Sequence, residues 1–273
     1  VREPDDSLDL SAMRDNYLGE AEVNICIALI LKNLPWVRRI YLVTADQRPD
    51  SLETQFAEEV ATGRLRVVSH AQIGIGEVFN SVAIETGLHR IPDLAEHFLY
   101  FNDDFFTTRP VVPSKLFTHD GAPIVTGSLS SEGVMRYALT SRTFLQSNLR
   151  LLDSLRGKYG VRVIFSPSHA MIPLTKTIMS EAETAFPEIW ADAASATFRD
   201  TTPPPIALAL NNALLTGHAY IAQGEMNLRR FEGHTLEDVM KFQVDSMQKY
   251  DAVCLNVQYE PTLRQIRDAV GSI

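Results

Sequence analysis

The stretch His97-Phe98-Leu99-Tyr100-Phe101-Asn102-Asp103-Asp104-Phe105-Phe106 decides how this chain folds. Its aromatic and apolar run reads as a buried strand that ends abruptly in an amide and two carboxylates. In α/β folds ligands gather where strands end, because loops converge there over a rigid sheet. Two adjacent acids at such a point supply hard oxygen ligands for Mg²⁺ or Mn²⁺, which can in turn hold a diphosphate. Asn and Asp also favour turns and helix caps, so the motif needs support from the rest of the chain.

Upstream, strand and helix alternate. Glu20 to Asn33 reads as a helix stopped by Pro35, and Arg39 to Thr44 as a β-branched and aromatic strand. Asp50 to Thr62 reads as one helix ended by Gly63, and Leu65 to Ser69 as the next strand. Asn80 or Ser81 caps a helix expected to run to about Arg90, with Ile84 and Leu88 on one face. This alternation predicts an α/β fold with a doubly wound sheet and right-handed crossovers.

Downstream the pattern is less regular and mostly helical. Strands are expected at Pro123 to Thr126, Val161 to Phe165 and Ala252 to Leu255, and helices at Thr143 to Gly157, Lys176 to Ala185 and Pro205 to Thr216. The three prolines 203–205 mark a rigid loop rather than a linker. The expected division is a Rossmann-like core that carries the acid pair, over residues 1–130. A helical-rich portion, 131–273, completes the active site or continues the same domain.

Composition narrows the function. A net charge of −9 across 273 residues argues against a broad nucleic-acid or anionic-membrane surface, leaving room for a local basic pocket. With 45% hydrophobic and 22% charged residues the chain can build a sizeable core. Cys26 and Cys254 both sit in apolar runs and read as buried free thiols, which favours a reducing compartment. No stretch approaches the roughly 20 apolar residues of a membrane span. The chain shows no signal peptide and begins at Val1 rather than Met, so an upstream segment is a further expectation.

The segments Met13-Arg14-Asp15-Asn16 and Glu22, then Lys32-Asn33-Leu34-Pro35-Trp36-Val37-Arg38-Arg39-Ile40-Tyr41-Leu42-Val43-Thr44 with Gln47 and Pro49, open an ordered set that resembles the Stealth family of sugar-phosphate transferases. Next come Ser69-His70, Phe79-Asn80-Ser81-Val82-Ala83-Ile84-Glu85, Leu88 to Leu94, and Phe98 to Asp104. Weaker likenesses follow in His169 with Pro173, Phe186-Pro187, Phe198-Arg199 and Cys254-Leu255-Asn256. The family's opening Tyr-Thr-Trp-Val-Asp-Gly strand is absent here, and its final Asn-Asp reads Asn256-Val257.

The resemblance implies a glycosyltransferase-A-like version of the Rossmann-like sheet. It also implies transfer of a hexose- or N-acetylhexosamine-1-phosphate from a nucleotide-sugar such as UDP-N-acetylglucosamine. The acceptor is a saccharide hydroxyl, nucleoside monophosphate leaves, and the product serves bacterial capsular or exopolysaccharide synthesis. Asp103 and Asp104 are then the metal ligands for Mg²⁺ or Mn²⁺. His169 is the expected base toward the acceptor hydroxyl, and Arg199 the bidentate phosphate clamp. Thr44, Gln47, Asn80, Ser81, Asn102 and Arg14 are expected to bind substrate. Such an enzyme works in the cytoplasm, peripheral to the inner membrane or free of it. Two alternatives stand beside this reading: a metal-dependent glycosyltransferase that releases nucleoside diphosphate, and a nucleotide-sugar-binding subunit that has lost its chemistry. His89, four residues after Glu85 on the expected helix, is read as pairing with it structurally.

Overall fold

The structure is a computed structural model that describes residues 20–138, 142–198, 200–224, 226–233 and 249–257. Helix α1 (Glu20–Asn33) is apolar on most of its circumference, and Ile25, Cys26, Ile27, Leu29 and Ile30 are all buried. It is therefore a core helix, wedged between two apolar clusters, with Ile27 in one and its neighbours in the other. Pro35 ends it, because the residue before a proline is pushed out of the helical region.

Strands β1 (Ile40–Thr44) and β2 (Leu65–Ser69) follow and pair in parallel, Thr44 opposite Ser69, so their carboxyl ends lie side by side. The connection contains two short helices, α2 (Ser51–Thr54) and α3 (Ala57–Ala61), where one long helix was expected. Phe56 breaks the run: it leaves helical geometry and buries its ring with Leu52 and Leu65. Tertiary packing has overridden local propensity there.

A similar break shortens the next helix. Helix α4 spans only Ser81–Glu85, and a 3₁₀ turn follows at Leu88–Arg90. At Gly87 an added Cβ would stand 2.8 Å from the Ile73 carbonyl oxygen and 2.9 Å from the Ile75 side chain. The backbone approaches too closely for any side chain. The break also separates the expected Glu85–His89 pair. Glu85 instead accepts from the Ile206 amide at 3.3 Å, and His89 meets Glu183 at 3.1 Å with Arg90 on the other carboxylate oxygen. Burial lowers the His89 pKa, and the Arg90 cation lowers it further.

Strand β3 (His97–Tyr100) finds its partner far along the chain, in β8 (Ile172–Thr175), antiparallel. Strand β4 (Phe105–Thr107) pairs antiparallel with β11 (Ala252–Val257), which pairs in parallel with β10 (Leu228–Gly233). Strand pairing is thus mixed: the parallel winding read from the alternation is seen in β1–β2, while the strand before the acids is braced from the second half of the chain. Smaller ladders join β5 (Ile124–Val125) with β9 (Tyr220–Ile221), and β6 (Gly127–Ser131) with β7 (Val163–Pro167).

Helices α5 (Glu132–Ala138), α6 (Arg142–Tyr159), α7 (Lys176–Ala185), α8 (Pro187–Ser195) and α9 (Pro205–Thr216) complete the molecule. Helix α9 starts with Pro205, is buried from Pro205 through Ala213, and ends at Gly217, whose φ of 80° suits a residue without Cβ. Its buried Asn211 accepts from the Phe165 amide and donates to the Phe165 carbonyl, each at 2.8 Å, serving one residue of β7 as a neighbouring strand would.

Candidate active site

The carboxyl ends of β1, β2 and β3 open onto one cleft of about 1560 Å³. Among its lining residues are six of the side chains expected from sequence: Thr44, Gln47, Asn80, Ser81, Asn102 and Asp103. His70, Tyr100 and Phe198 line it with them.

At the end of β1 the chain turns tightly. The Thr44 hydroxyl donates to the Gln47 carbonyl at 2.8 Å, and the Gln47 side-chain oxygen accepts from the Ala45 amide at 3.1 Å. Asp46 adopts φ 67°, a conformation that short polar side chains tolerate. At the end of β2 a capping box formed by Ser69 and Gln72 starts a 3₁₀ turn with His70 in its first position. His70 was not assigned a role from sequence. The Ser69-x-x-Gln72 spacing after a strand is the signal that could have located it at the strand's mouth.

Asn80 is buried and its amide is fully engaged. The oxygen caps α4 by accepting from the Val82 amide, and the nitrogen donates to the carbonyls of Ala196 and Phe198, all at 3.1 Å. The Phe79 amide reaches the Thr197 carbonyl at 2.9 Å. Asn80 therefore acts on the cleft by tethering residues 196–198 to it, not through a spare donor. Arg199 follows that tethered segment in sequence. Arg199 and Arg14 themselves lie outside the described residues.

The acid loop hangs between β3 and β4. The Tyr100 hydroxyl donates to the Asn102 side-chain oxygen, and the Phe105 amide closes the turn on the Asn102 carbonyl at 3.2 Å. Asp103 lines the cleft. Burial raises its pKa above the ordinary carboxylate value, and the neighbouring Asp104 charge raises it further. Asp104 is not among the cleft-lining side chains; its Oδ2 accepts from the Cys254 thiol at 3.2 Å. From the α1 side, Cys26 donates to the Phe105 carbonyl at 3.2 Å. Burial pushes the Cys26 thiol far up, and the two acids push it the same way, so it stays protonated. Both cysteines are free and buried, as their apolar surroundings predicted.

His169 is exposed and stacks edge-to-face on Phe105 at 6.1 Å between ring centroids. The fold thus brings it from the second half of the chain to the acid loop, though not among the cleft-lining residues.

Residues 17–125 match the family model described as Stealth protein CR2, conserved region 2. That span contains β1, β2, β3 and the acid loop. Over 256 residues the chain is 34% identical to an exopolysaccharide phosphotransferase of Streptomyces coelicolor, covering 90% of this chain and 45% of that protein. The chain belongs to the Stealth family.

A capsular polysaccharide phosphotransferase of Neisseria meningitidis serogroup B is 33% identical over 175 residues, 62% of this chain and 45% of the relative. This Stealth chain therefore spans less than half the length of the curated relatives it matches first. Its fold resembles that of the galactosyltransferase LgtC, solved with donor and acceptor sugar analogs: TM-score 0.50 at 12% identity, covering 95% of this chain and 93% of that one. The likeness establishes an α/β fold of the glycosyltransferase type for this Stealth member.

Among the described residues, no group of three or more His, Cys, Asp or Glu side chains is arranged to hold a metal ion, and no helix is long and apolar enough to cross a membrane. Hard oxygen donors lining the cleft include those of Asp103 and Asn102, beside the carboxylates of Asp50 and Asp93, the last paired with Arg66 at 3.1 Å. Asp103 and Asn102 stand together just past the end of β3, where both can offer oxygen to a cation. Such a donor set fits Mg²⁺ or Mn²⁺ that takes most of its ligands from phosphate and water.

Proposed function

We propose that this chain carries the catalytic core of a sugar-1-phosphate transferase of cell-surface polysaccharide synthesis. The donor is a nucleotide-sugar of the UDP-N-acetylglucosamine type, and the acceptor is a saccharide hydroxyl. The observation that carries the reading is the acid loop: Asn102 and Asp103 stand at the carboxyl end of β3 in the same cleft as the ends of β1 and β2. The names of the Streptomyces and Neisseria relatives support phosphate transfer in particular.

In this reading the acceptor oxygen bonds to the sugar-linked phosphorus. The bond from that phosphorus to the oxygen bridging it to the nucleoside phosphate breaks, and nucleoside monophosphate leaves. The protein's task is alignment and neutralisation of charge. Asp103, backed by Asp104, would hold Mg²⁺ or Mn²⁺, which neutralises charge on the diphosphate oxygens. His169, which meets the acid loop at Phe105, is assigned the acceptor proton. Arg199, following the segment tethered by Asn80, clamps phosphate oxygens through its paired guanidinium donors. Thr44 and Gln47 face the nucleotide from the end of β1, and Ser81 from the start of α4. The reaction then belongs to the cytoplasm or the inner face of the membrane, where nucleotide-sugars are made.

The fold likeness to LgtC favours one second reading, transfer of the sugar alone with the diphosphate as leaving group. Incubation with UDP-N-acetylglucosamine, oligosaccharide and Mg²⁺ separates the two, with nucleotides resolved by chromatography. UMP is the expected product. UDP would replace the proposal with glycosyl transfer, and binding of the donor with release of neither would mark a chain without chemistry.

A further inference from the structure

Asp103 and Asp104 are adjacent in sequence yet held differently. Asp103 lines the cleft, whereas Asp104 meets the thiol of Cys254, 150 residues away, at 3.2 Å. Cys254 is fully buried in β11, and its backbone is in antiparallel register with Phe105, the residue after Asp104. The ladder therefore fixes where the thiol stands relative to the loop. Cys26 grips the same loop from α1 by donating to the Phe105 carbonyl. A short loop between two strands, held by one thiol on each side, has little freedom to exchange which acid faces the cleft.

We propose that Cys254 is a positioning residue: its thiol holds the Asp104 carboxylate behind the loop, so that Asp103 is the carboxylate presented to substrate. This rests on the transferase reading for its consequence in turnover, but not for the contact itself. A thiol suits the place because it is a weak donor that remains inexpensive to bury, while its long C–S bond reaches the carboxylate. A methyl group at the same position would leave Asp104 free to turn toward the cleft and crowd Asp103.

The S–H stretching band in Raman spectra tests the contact directly, with Cys254→Ala assigning the band by difference. Asp104→Asn should shift the Cys254 band to higher frequency, as expected when a charged acceptor is replaced by a neutral one. In kinetics, Cys254→Ala should lower kcat by about ten- to a hundredfold, the scale of a slightly misplaced group, with a smaller change in KM for the nucleotide-sugar. Cys254→Ser, which retains a donor but buries a more polar one, should recover much of kcat while melting no higher than the alanine variant. An S–H band indifferent to Asp104→Asn overturns the proposal. So does unchanged kcat in Cys254→Ala, or kcat losses that follow melting temperature through both variants. If the wild-type chain turns over no donor, the transferase reading fails, and the S–H band alone decides whether Cys254 holds Asp104.

Discussion

Asp103 brings a carboxylate into a half-buried loop beside a second acid, and both burial and repulsion favour its protonated form in the folded protein. A carboxyl whose folded pKa lies above its unfolded value binds its proton more tightly when folded. Its stabilising effect is full below the ordinary carboxylate range and is lost as pH rises through the raised folded value. At neutral pH the ionised Asp103 therefore costs stability. Asp103→Asn should melt at least as high as wild type at neutral pH, with the advantage shrinking as pH falls toward the ordinary carboxylate pKa. The same variant should lose about a hundredfold or more in turnover, the scale for removing one group that stabilises transition-state charge. Melting curves across the acidic range and a turnover assay check both. A variant that melts well below wild type while retaining activity would assign Asp103 to the scaffold. At this scale the acid pair was legible, because an apolar run ending in carboxylates is a local pattern. The inequality of the two acids was not, since it depends on Cys254 in a distant strand.

Among the elements, the residues 79–81 and 196–198 form the joint that shapes one wall of the cleft. Asn80→Ala removes a buried helix cap and two part-buried hydrogen bonds; at about 1 kcal/mol for the cap and a similar amount or less for each bond, the loss should be about 2–3 kcal/mol. Asn80→Asp keeps the cap but sets a carboxylate against two carbonyl oxygens, so it should not rescue stability. Denaturant titration of the three proteins gives the order. Gly87→Ala is a second test: the clash with the Ile73 carbonyl predicts a loss of about 1–3 kcal/mol, although alanine is the better helix former. Helices with strong caps or long apolar faces were readable to the residue, as at Glu20–Asn33, Lys176–Ala185 and Pro205–Thr216. The helices at 50–62 and 80–90 were read too long, because Phe56 and Gly87 are decided by packing. Strand β8 escaped notice because Pro173 lies inside it, and helix α8 because Phe186-Pro187 was read as a motif and not as a start with proline at its first position.

For the whole molecule the question is whether the two halves of the chain behave as one cooperative unit. The β3–β8 and β4–β11 ladders both cross from residues before 130 to residues after it. The cores cross as well: one cluster joins Val68, Ile73 and Ile91 to Leu152, Trp190 and Leu210, and another joins Ile25 and Phe106 to Met171 and Val253. Neither half can bury its apolar surface alone, which predicts all-or-none unfolding. The two tryptophans make this measurable. Trp36 donates to the Val111 carbonyl at 2.7 Å and packs against the second of these clusters, whereas Trp190 is buried in the first beside His89. Trp36→Phe and Trp190→Phe each leave one reporter. The prediction is that, for each single-tryptophan protein, fluorescence and far-ultraviolet circular dichroism give the same urea midpoint and slope. A fluorescence transition displaced from the circular dichroism transition within either protein would show that the clusters unfold separately, and an early one for the Trp36 reporter that the acid-loop side opens first.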